Sequence, residues 1–287
     1  MLSSLAFAKI NLLLRVTGRR KDGYHLLDSL VGFCEFGDRL EISSNETRDE
    51  IITAGTFGRE IGDNNIIRKT LEKFRETTQW EQPVRIRLEK EIPIGAGLGG
   101  GSSDAAATLR LLTQIPNSPS LTGKELFKIA LDLGADVPVC LQGKTVRMQG
   151  IGERLNILQP FPKLPIVLVN PNRKLETKNV FGAFQGNYSK PIDSCLVEKS
   201  WTQEKLENLL ASKKQNDLHE AAVSLVPEIS EVLALLRKLP GIIGVGMSGS
   251  GATCFAILKQ GKPDKVNEAL RRLNETTWWY RLTYLKP

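Results

Sequence analysis

Apolar positions along the chain fall into alternating and helical runs. Residues 5–16 and 26–42 are rich in Leu, Val and Ile and read as strands, joined by the polar turn Thr-Gly-Arg-Arg-Lys-Asp-Gly-Tyr-His. Residues 64–78 carry their apolar side chains at helical spacing. Val84, Ile86 and Leu88 then alternate with Arg85, Arg87 and Glu89, which predicts a strand with one wet face in an antiparallel or mixed sheet. A glycine-rich stretch follows, then helices over about Ser102–Ile115 and Lys124–Gly134, and a strand, turn and strand over 144–158. Pro160, Pro162 and Pro165 crowd one short segment and mark a boundary between domains 1–160 and 161–287. Beyond it, 166–171 reads as a buried strand, 202–223 and 227–241 as helical, 241–258 as a strand, a glycine turn and a strand, 263–274 as a helix and 278–285 as a strand. Helices thus alternate with strands around a small sheet, and the class is mixed α/β.

Composition narrows the function more by exclusion than by pointing. No apolar run reaches the ~18 residues that a membrane helix needs. The first 16 residues lack the basic start and small-residue cleavage site of a signal peptide. Cys34, Cys140, Cys195 and Cys254 are far apart and lie among apolar neighbours, so neither zinc nor a redox pair is suggested. Reduced, mostly buried thiols in the cytoplasm are expected. The net charge of +7 is spread along the chain, densest at Arg15–Lys21, without a nucleic-acid-binding motif. It favours an anionic small ligand over RNA or DNA, and no obligate protein partner is evident.

The stretch Ile-Pro-Ile-Gly-Ala-Gly-Leu-Gly-Gly-Gly-Ser-Ser-Asp-Ala-Ala, 92–106, carries the chemistry. Gly95–Gly100 satisfies G-x-G-x-x-G, but the strand before it has a charged face and no acid follows about 20 residues on, so a dinucleotide site does not fit. The P-loop pattern fails too: Gly143-Lys144-Thr145 has Pro138 where the first glycine belongs. What remains is phosphate binding through backbone N–H groups turned inward by glycines, next to a helix N-terminus. Ser102, Ser103 and Asp104 are expected to cap that helix, and a serine hydroxyl to reach Mg²⁺ on the phosphates. Lys9 and Asn11, two apart in a strand, share a face. Asp136, between Gly134 and Pro138, reads on its own as a turn or cap residue.

The segment Pro93–Ala106 resembles the second motif of the GHMP kinase superfamily, residues 7–25 its first and residues 244–256 its third, so the likeness spans nearly the whole chain. Residues 8–30 and 133–155 are similar to the branch that phosphorylates a cytidyl-bearing methylerythritol. The resemblance implies a two-domain fold, an N-terminal ATP-binding domain like domain 2 of ribosomal protein S5 with a ferredoxin-like C-terminal domain. It implies ATP and Mg²⁺, a small-molecule acceptor, Asp136 as catalytic base and Lys9 beside it. Pro93, Ile94, Gly95, Ala96, Gly97, Leu98, Gly99, Gly100, Gly101, Ser102 and Ser103 would hold the phosphates, Ser103 also the metal. Asn65, Ile66 and Lys90 would line the adenine pocket, and Ser248–Ala252 would approach the phosphates. Asn11 and Thr177 would give polar contacts to the acceptor, Tyr24 and Phe181 would sandwich its cytosine, and His25 would bond its edge. Ala6-Phe7 departs from the small-Pro pair common in the first motif.

Overall fold

A computed structural model describes the chain apart from Asn45, residues 195–199, 212–214, Lys262, Arg272 and residues 274–275. Ten strands and nine α-helices fall into two compact units among the described residues. One unit comprises Met1–Ala8, Phe36–Ile94 and Gly99–Gly143; the other comprises Lys9–Glu35, Gly95–Leu98 and Lys144–Pro287. The long paired strands β1 (Leu2–Arg19) and β2 (His25–Ser43) contribute to both. The units therefore interleave in sequence, and the proline-rich segment at 160–165 lies inside the second.

In the first unit, β4 (Arg85–Glu89) pairs antiparallel with β2 through Arg39–Ser43 and parallel with β3 (Glu50–Ala54). Ile86 and Leu88 are buried and the alternating charged positions exposed, as the sequence pattern requires. Helix α1 (Ile66–Thr78) starts where Asn65 accepts from the N–H groups of Ile67 and Arg68. Such a cap stabilises by about 0.5–2 kcal/mol relative to alanine. Helix α3 (Gly123–Leu133) starts with a reciprocal capping box between Thr122 and Glu125. Helix α2 (Gly100–Leu112) packs against α1, α3 and α4 (Val137–Gln142). Its Ala105, Ala106 and Ala107 are wholly buried, and their small side chains let three helices crowd around it.

In the second unit, β5 (Val146–Gly150) pairs with β2 through Leu27–Val31 and with β6 (Arg154–Ile157). A bidentate Arg147–Asp28 pair, 2.9 and 2.7 Å, ties β5 to β2. A separate antiparallel sheet has the order β10-β7-β9-β8, from β7 (Pro165–Asn170), β8 (Ile242–Met247), β9 (Cys254–Leu258) and β10 (Trp279–Tyr284). Helices α5 (Thr177–Ala183), α6 (Gln203–Leu210), α7 (His219–Leu225) and α8 (Glu228–Leu236) lie between β7 and β8 in the chain, and α9 (Pro263–Arg271) between β9 and β10. This split β-α-β-β-α-β order is the ferredoxin-like arrangement. Val167, Val169, Ile229, Leu233 and Ala256 sit in its core.

The helical run expected over 202–223 is instead two helices. Asn216 interrupts it: its amide donates to the carbonyls of Met247 and Gly249 while its oxygen accepts from the Leu218 N–H. A side chain that bonds backbone in this way competes with the helix ladder. Cys34, Cys140 and Cys254 are buried thiols that form no disulfide among the described residues; Cys195 lies outside the described residues. No helix among the described residues is long and apolar enough to cross a membrane.

Candidate active site

Strand β1 puts Lys9 and Asn11 on one face, and the structure joins them: Lys9 Nζ donates to Asn11 Oδ1 at 3.1 Å. Both are buried. The Asn11 amide donates to the Ser29 hydroxyl at 2.8 Å, which in turn donates to the Leu13 carbonyl at 2.7 Å. The Asn11 orientation is therefore fixed by two strands. The Asn11 backbone N–H donates to the Ser248 hydroxyl at 3.2 Å, and that hydroxyl donates to the Gly97 carbonyl at 2.8 Å. Ser248 so links β1, the glycine loop and the turn between β8 and β9.

The same turn shapes the loop's first half. The Thr253 N–H donates to the Ala96 carbonyl, and the Lys9 N–H to that of Leu98. Gly97 adopts φ +73°, and a Cβ there would lie 2.4 Å from the Ser248 carbonyl oxygen and 2.6 Å from that of Gly251. Glycine is required at 97 because backbone occupies the space. Among the neighbouring residues, Ile94 is half-buried, Pro93 is buried and Gly95 is exposed.

Gly99, at φ +62°, closes the loop and stands at the N-cap of α2. The expected caps are corrected here. The helix begins at Gly100, so Ser102, Ser103 and Asp104 fall inside its first turns, and no side chain caps it. Its leading N–H groups keep no side-chain acceptor and carry the positive end of the helix dipole. Gly101 faces open space: a Cβ there would find Ile66 Cγ2 as its nearest neighbour, at 4.0 Å. Ser103 is buried, and its hydroxyl donates to the Phe7 carbonyl at 2.7 Å with the Cys140 thiol at 3.3 Å. That hydroxyl does not fit a metal contact, and no cluster of three or more His, Cys, Asp or Glu suited to a metal exists among the described residues.

Lys90 is buried, and its ammonium lies between Asp38 at 2.5 Å and Asp104 at 2.6 Å. Burial alone would lower its pKa; its acid neighbours Asp104 and Asp38 more than reverse that, and the ammonium stays charged. Removing one partner of such a buried group costs about 3–5 kcal/mol. The Lys90 side chain is thus committed to an ion cluster, and the Asn65 side chain to capping α1. Neither commitment follows from the motifs. A signal exists for Lys90: it continues the inward set Val84, Ile86, Leu88 at even spacing. Asp136 stands at the N-cap of α4 but makes no side-chain capping bond, so the capping role that its setting suggests is not what it does.

Of the residues expected on the acceptor side, Thr177 and Phe181 lie on α5 and His25 packs against it. His25 stacks on Phe181 with centroids 5.0 Å apart and planes 21° from parallel, and meets the edge of Phe184 at 5.8 Å. Burial, with Arg19 nearby, lowers the His25 pKa and favours the neutral ring. Tyr24 is 62% exposed and does not enter this stack. Phe184 and Tyr188 extend the cluster at 6.4 Å. The hydroxyls of Thr177 and Ser250 share a hydrogen bond of 2.9 Å. Ser29, within the 8–30 segment, and Phe184 were not singled out individually by the sequence, and Ser248 and Ser250 make individual bonds that the turn motif alone does not specify.

Comparison with known proteins agrees with these motifs. The family "GHMP kinases N terminal domain" matches residues 65–144, and "GHMP kinases C terminal" matches residues 202–276. A 4-diphosphocytidyl-2-C-methyl-D-erythritol kinase from Chelativorans sp. (strain BNC1) is 43% identical, covering 98% of this chain and 95% of the relative. One from Rhodospirillum rubrum is 41% identical, covering 96% and 89%. A crystal structure of 4-(cytidine 5'-diphospho)-2C-methyl-D-erythritol kinase superposes over both full chains with a TM-score of 0.80 at 34% identity. The Methanococcus jannaschii mevalonate kinase shares the fold at a TM-score of 0.72, with 14% identity. With this likeness running the length of the chain and through all three motifs, the protein belongs to the 4-diphosphocytidyl-2-C-methyl-D-erythritol kinase family of the GHMP kinases.

Proposed function

We propose that the protein transfers the γ-phosphoryl group of ATP to the 2-hydroxyl of 4-diphosphocytidyl-2-C-methyl-D-erythritol, in the non-mevalonate route to isoprenoid precursors. The observation that carries the phosphate half is the start of α2, uncapped by any side chain and preceded by glycines. Backbone N–H groups and a helix dipole there suit a polyphosphate. The aromatic cluster of His25, Phe181 and Phe184 supports an acceptor that carries a base, since homoserine and mevalonate have none to stack.

In this reading the acceptor oxygen attacks the γ-phosphorus in line, the bond to the β-phosphate oxygen breaks, ADP leaves, and Asp136 takes the hydroxyl proton. Lys9 supplies positive charge to the reacting groups, and Asn11 a polar contact to the acceptor. Gly95–Ser103 hold the triphosphate by backbone. Ile66 lines the adenine pocket with Asn65 and Lys90, whose side chains brace it from their own hydrogen bonds. Tyr24, His25, Thr177 and Phe181 hold the cytidyl end. Mg²⁺ would come with ATP to neutralise phosphate charge; no step is assigned to a metal held by Ser103. Residues 1–160 would serve the nucleotide and 161–287 complete the acceptor site, in a reducing cytoplasm.

Release of ADP, measured with the cytidyl substrate against homoserine and mevalonate, tests the reading. Turnover with the cytidyl compound alone supports it; preference for either other acceptor overturns it. Asp136→Asn should cut kcat by roughly 10²- to 10⁴-fold while ATP still binds by calorimetry. A near-normal kcat would remove Asp136 from its role.

A further inference from the structure

The ion cluster beside α2 holds two acids and one base, and the acids differ. Asp38 is fully employed as an acceptor: Oδ1 takes the N–H groups of Glu91 and Ile92 at 2.6 and 2.8 Å, and Oδ2 takes Lys90 at 2.5 Å. Asp104 accepts from Lys90 through Oδ2, while its Oδ1 is buried without a hydrogen-bond partner. A bare ionised oxygen in a dry interior is unfavourable, and a proton relieves it.

We propose that Asp38, Lys90 and Asp104 are positioning residues for nucleotide binding, bracing both flanks of the glycine loop, and that a proton kept on Asp104 prevents the brace from repelling the triphosphate. The inference rests on the ATP-dependent reading above. Asp38 fixes the backbone entering the loop at Glu91 and Ile92, and Lys90 ties that anchor to Asp104 in α2. A methyl group at Gly100 would lie 3.0 Å from the Lys90 ammonium, so the cluster sits against the first residue of the helix. With the proton in place the cluster is neutral; without it, one net negative charge lies beside the N–H groups that face the phosphates.

Burial, and then the Asp38 charge, push the Asp104 carboxyl well above the usual carboxylate range. The charged groups facing it are Lys90 and Asp38. Helix α1 presents Ile67, Thr70, Leu71 and Phe74 inward and α3 presents Ile129 and Ala130, none titratable. Helix α4 brings the Cys140 thiol, which lies against the Ser103 hydroxyl, and Arg110 farther along α2 donates to the Cys140 carbonyl. Loss of the Asp104 proton is therefore the event in this cluster that changes its charge on the alkaline side of neutrality. One added charge about 10 Å from a multiply charged phosphate, at an effective dielectric constant of ~20, weakens binding by roughly tenfold or more.

The test is MgATP affinity by calorimetry, with KM and kcat, on the wild type and on Asp104→Asn from neutral pH to about two units above. The wild type should lose roughly tenfold in ATP affinity, with KM for ATP rising more than kcat falls. Asp104→Asn should lose that slope and bind ATP more tightly than the wild type at the alkaline end. Melting without ATP gives a second readout. Because the folded pKa of Asp104 is raised, its contribution to stability is greatest at low pH and is lost as pH climbs toward the folded value, so the wild type should decline relative to Asp104→Asn. Measurable ATP binding with a flat wild-type profile, or an equal slope in the variant, overturns this inference alone. A folded wild type that binds no ATP at any pH overturns the kinase reading and this inference together.

Discussion

The glycine loop is two different objects joined end to end. In its first half, Gly97 is glycine because the carbonyls of Ser248 and Gly251 already occupy the place of its side chain. In its second half, Gly101 has nothing closer than 4.0 Å, in the first turn of a helix where any residue could sit. One glycine serves packing and the other leaves room. A run of glycines therefore does not measure how much of a loop touches a ligand; the space around each one does.

Substituting the two halves in the same way should separate these roles, beginning with the largest effect. Gly97→Val forces a branched side chain into backbone at a positive φ. Overpacking of about 1–3 kcal/mol and a left-handed penalty of about 1–2 kcal/mol add to roughly 2–5 kcal/mol. At about 2–4 °C per kcal/mol for a chain of this size class, the melting temperature should fall by roughly 5–20 °C. ATP and acceptor activities should fall together. An unshifted melting curve would dissolve the distinction between the halves.

Gly101→Val is the counterpart. It should leave the melting temperature within a few degrees and weaken ATP binding, because the branched side chain fills the approach to the helix N-terminus. Loss of hydrogen bonds to a charged group, about 1.5–3 kcal/mol, corresponds to roughly 10- to 150-fold in affinity. Calorimetry on the folded variant reads this directly. Unchanged affinity would mean that the phosphates do not use this end of the helix.

Legibility from the sequence followed the range of the interactions. The strands around Val84–Leu88, the helix after Asn65 and the glycine loop could be read because spacing and turn chemistry act over a few residues. The shared face of Lys9 and Asn11 was of the same kind, though not the hydrogen bond between them. The Asp38–Lys90–Asp104 cluster joins residues up to 66 positions apart, from a strand, a strand end and a helix, and local patterns carry only half of it: alternation turns Lys90 inward but does not name its partners. The start of α2 was displaced for a related reason. Ser102, Ser103 and Asp104 have cap-forming side chains, yet tertiary partners in Phe7, Cys140 and Lys90 claim the latter two. The break at Asn216 depends on the Met247 and Gly249 carbonyls, which no window around 216 contains. The roles of Tyr24 and Phe181 came from family likeness, since an exposed tyrosine and a half-buried phenylalanine are unremarkable by themselves.

That last pair gives the smallest expected effect and extends the comparison to the acceptor side. Phe181 packs against the core of its unit and against His25, whereas Tyr24 stands out in solvent. They should behave as Gly97 and Gly101 do: one partly structural, the other free to serve a ligand. Stacking on a base is worth roughly 1–3 kcal/mol, or about 5- to 150-fold. Tyr24, exposed and bonded within its own turn, belongs at the low end, so Tyr24→Ala should raise KM for the cytidyl substrate by roughly 5- to 10-fold with an unchanged melting curve. Phe181→Ala should raise the same KM but also lower the melting temperature. KM for ATP should change little in either folded variant. If Tyr24→Ala leaves the cytidyl KM untouched while Phe181→Ala raises it, the base is held by the His25–Phe181 cluster alone. If both variants alter ATP and acceptor kinetics alike, in proportion to lost stability, the rings are packing groups and the acceptor's base is recognised elsewhere.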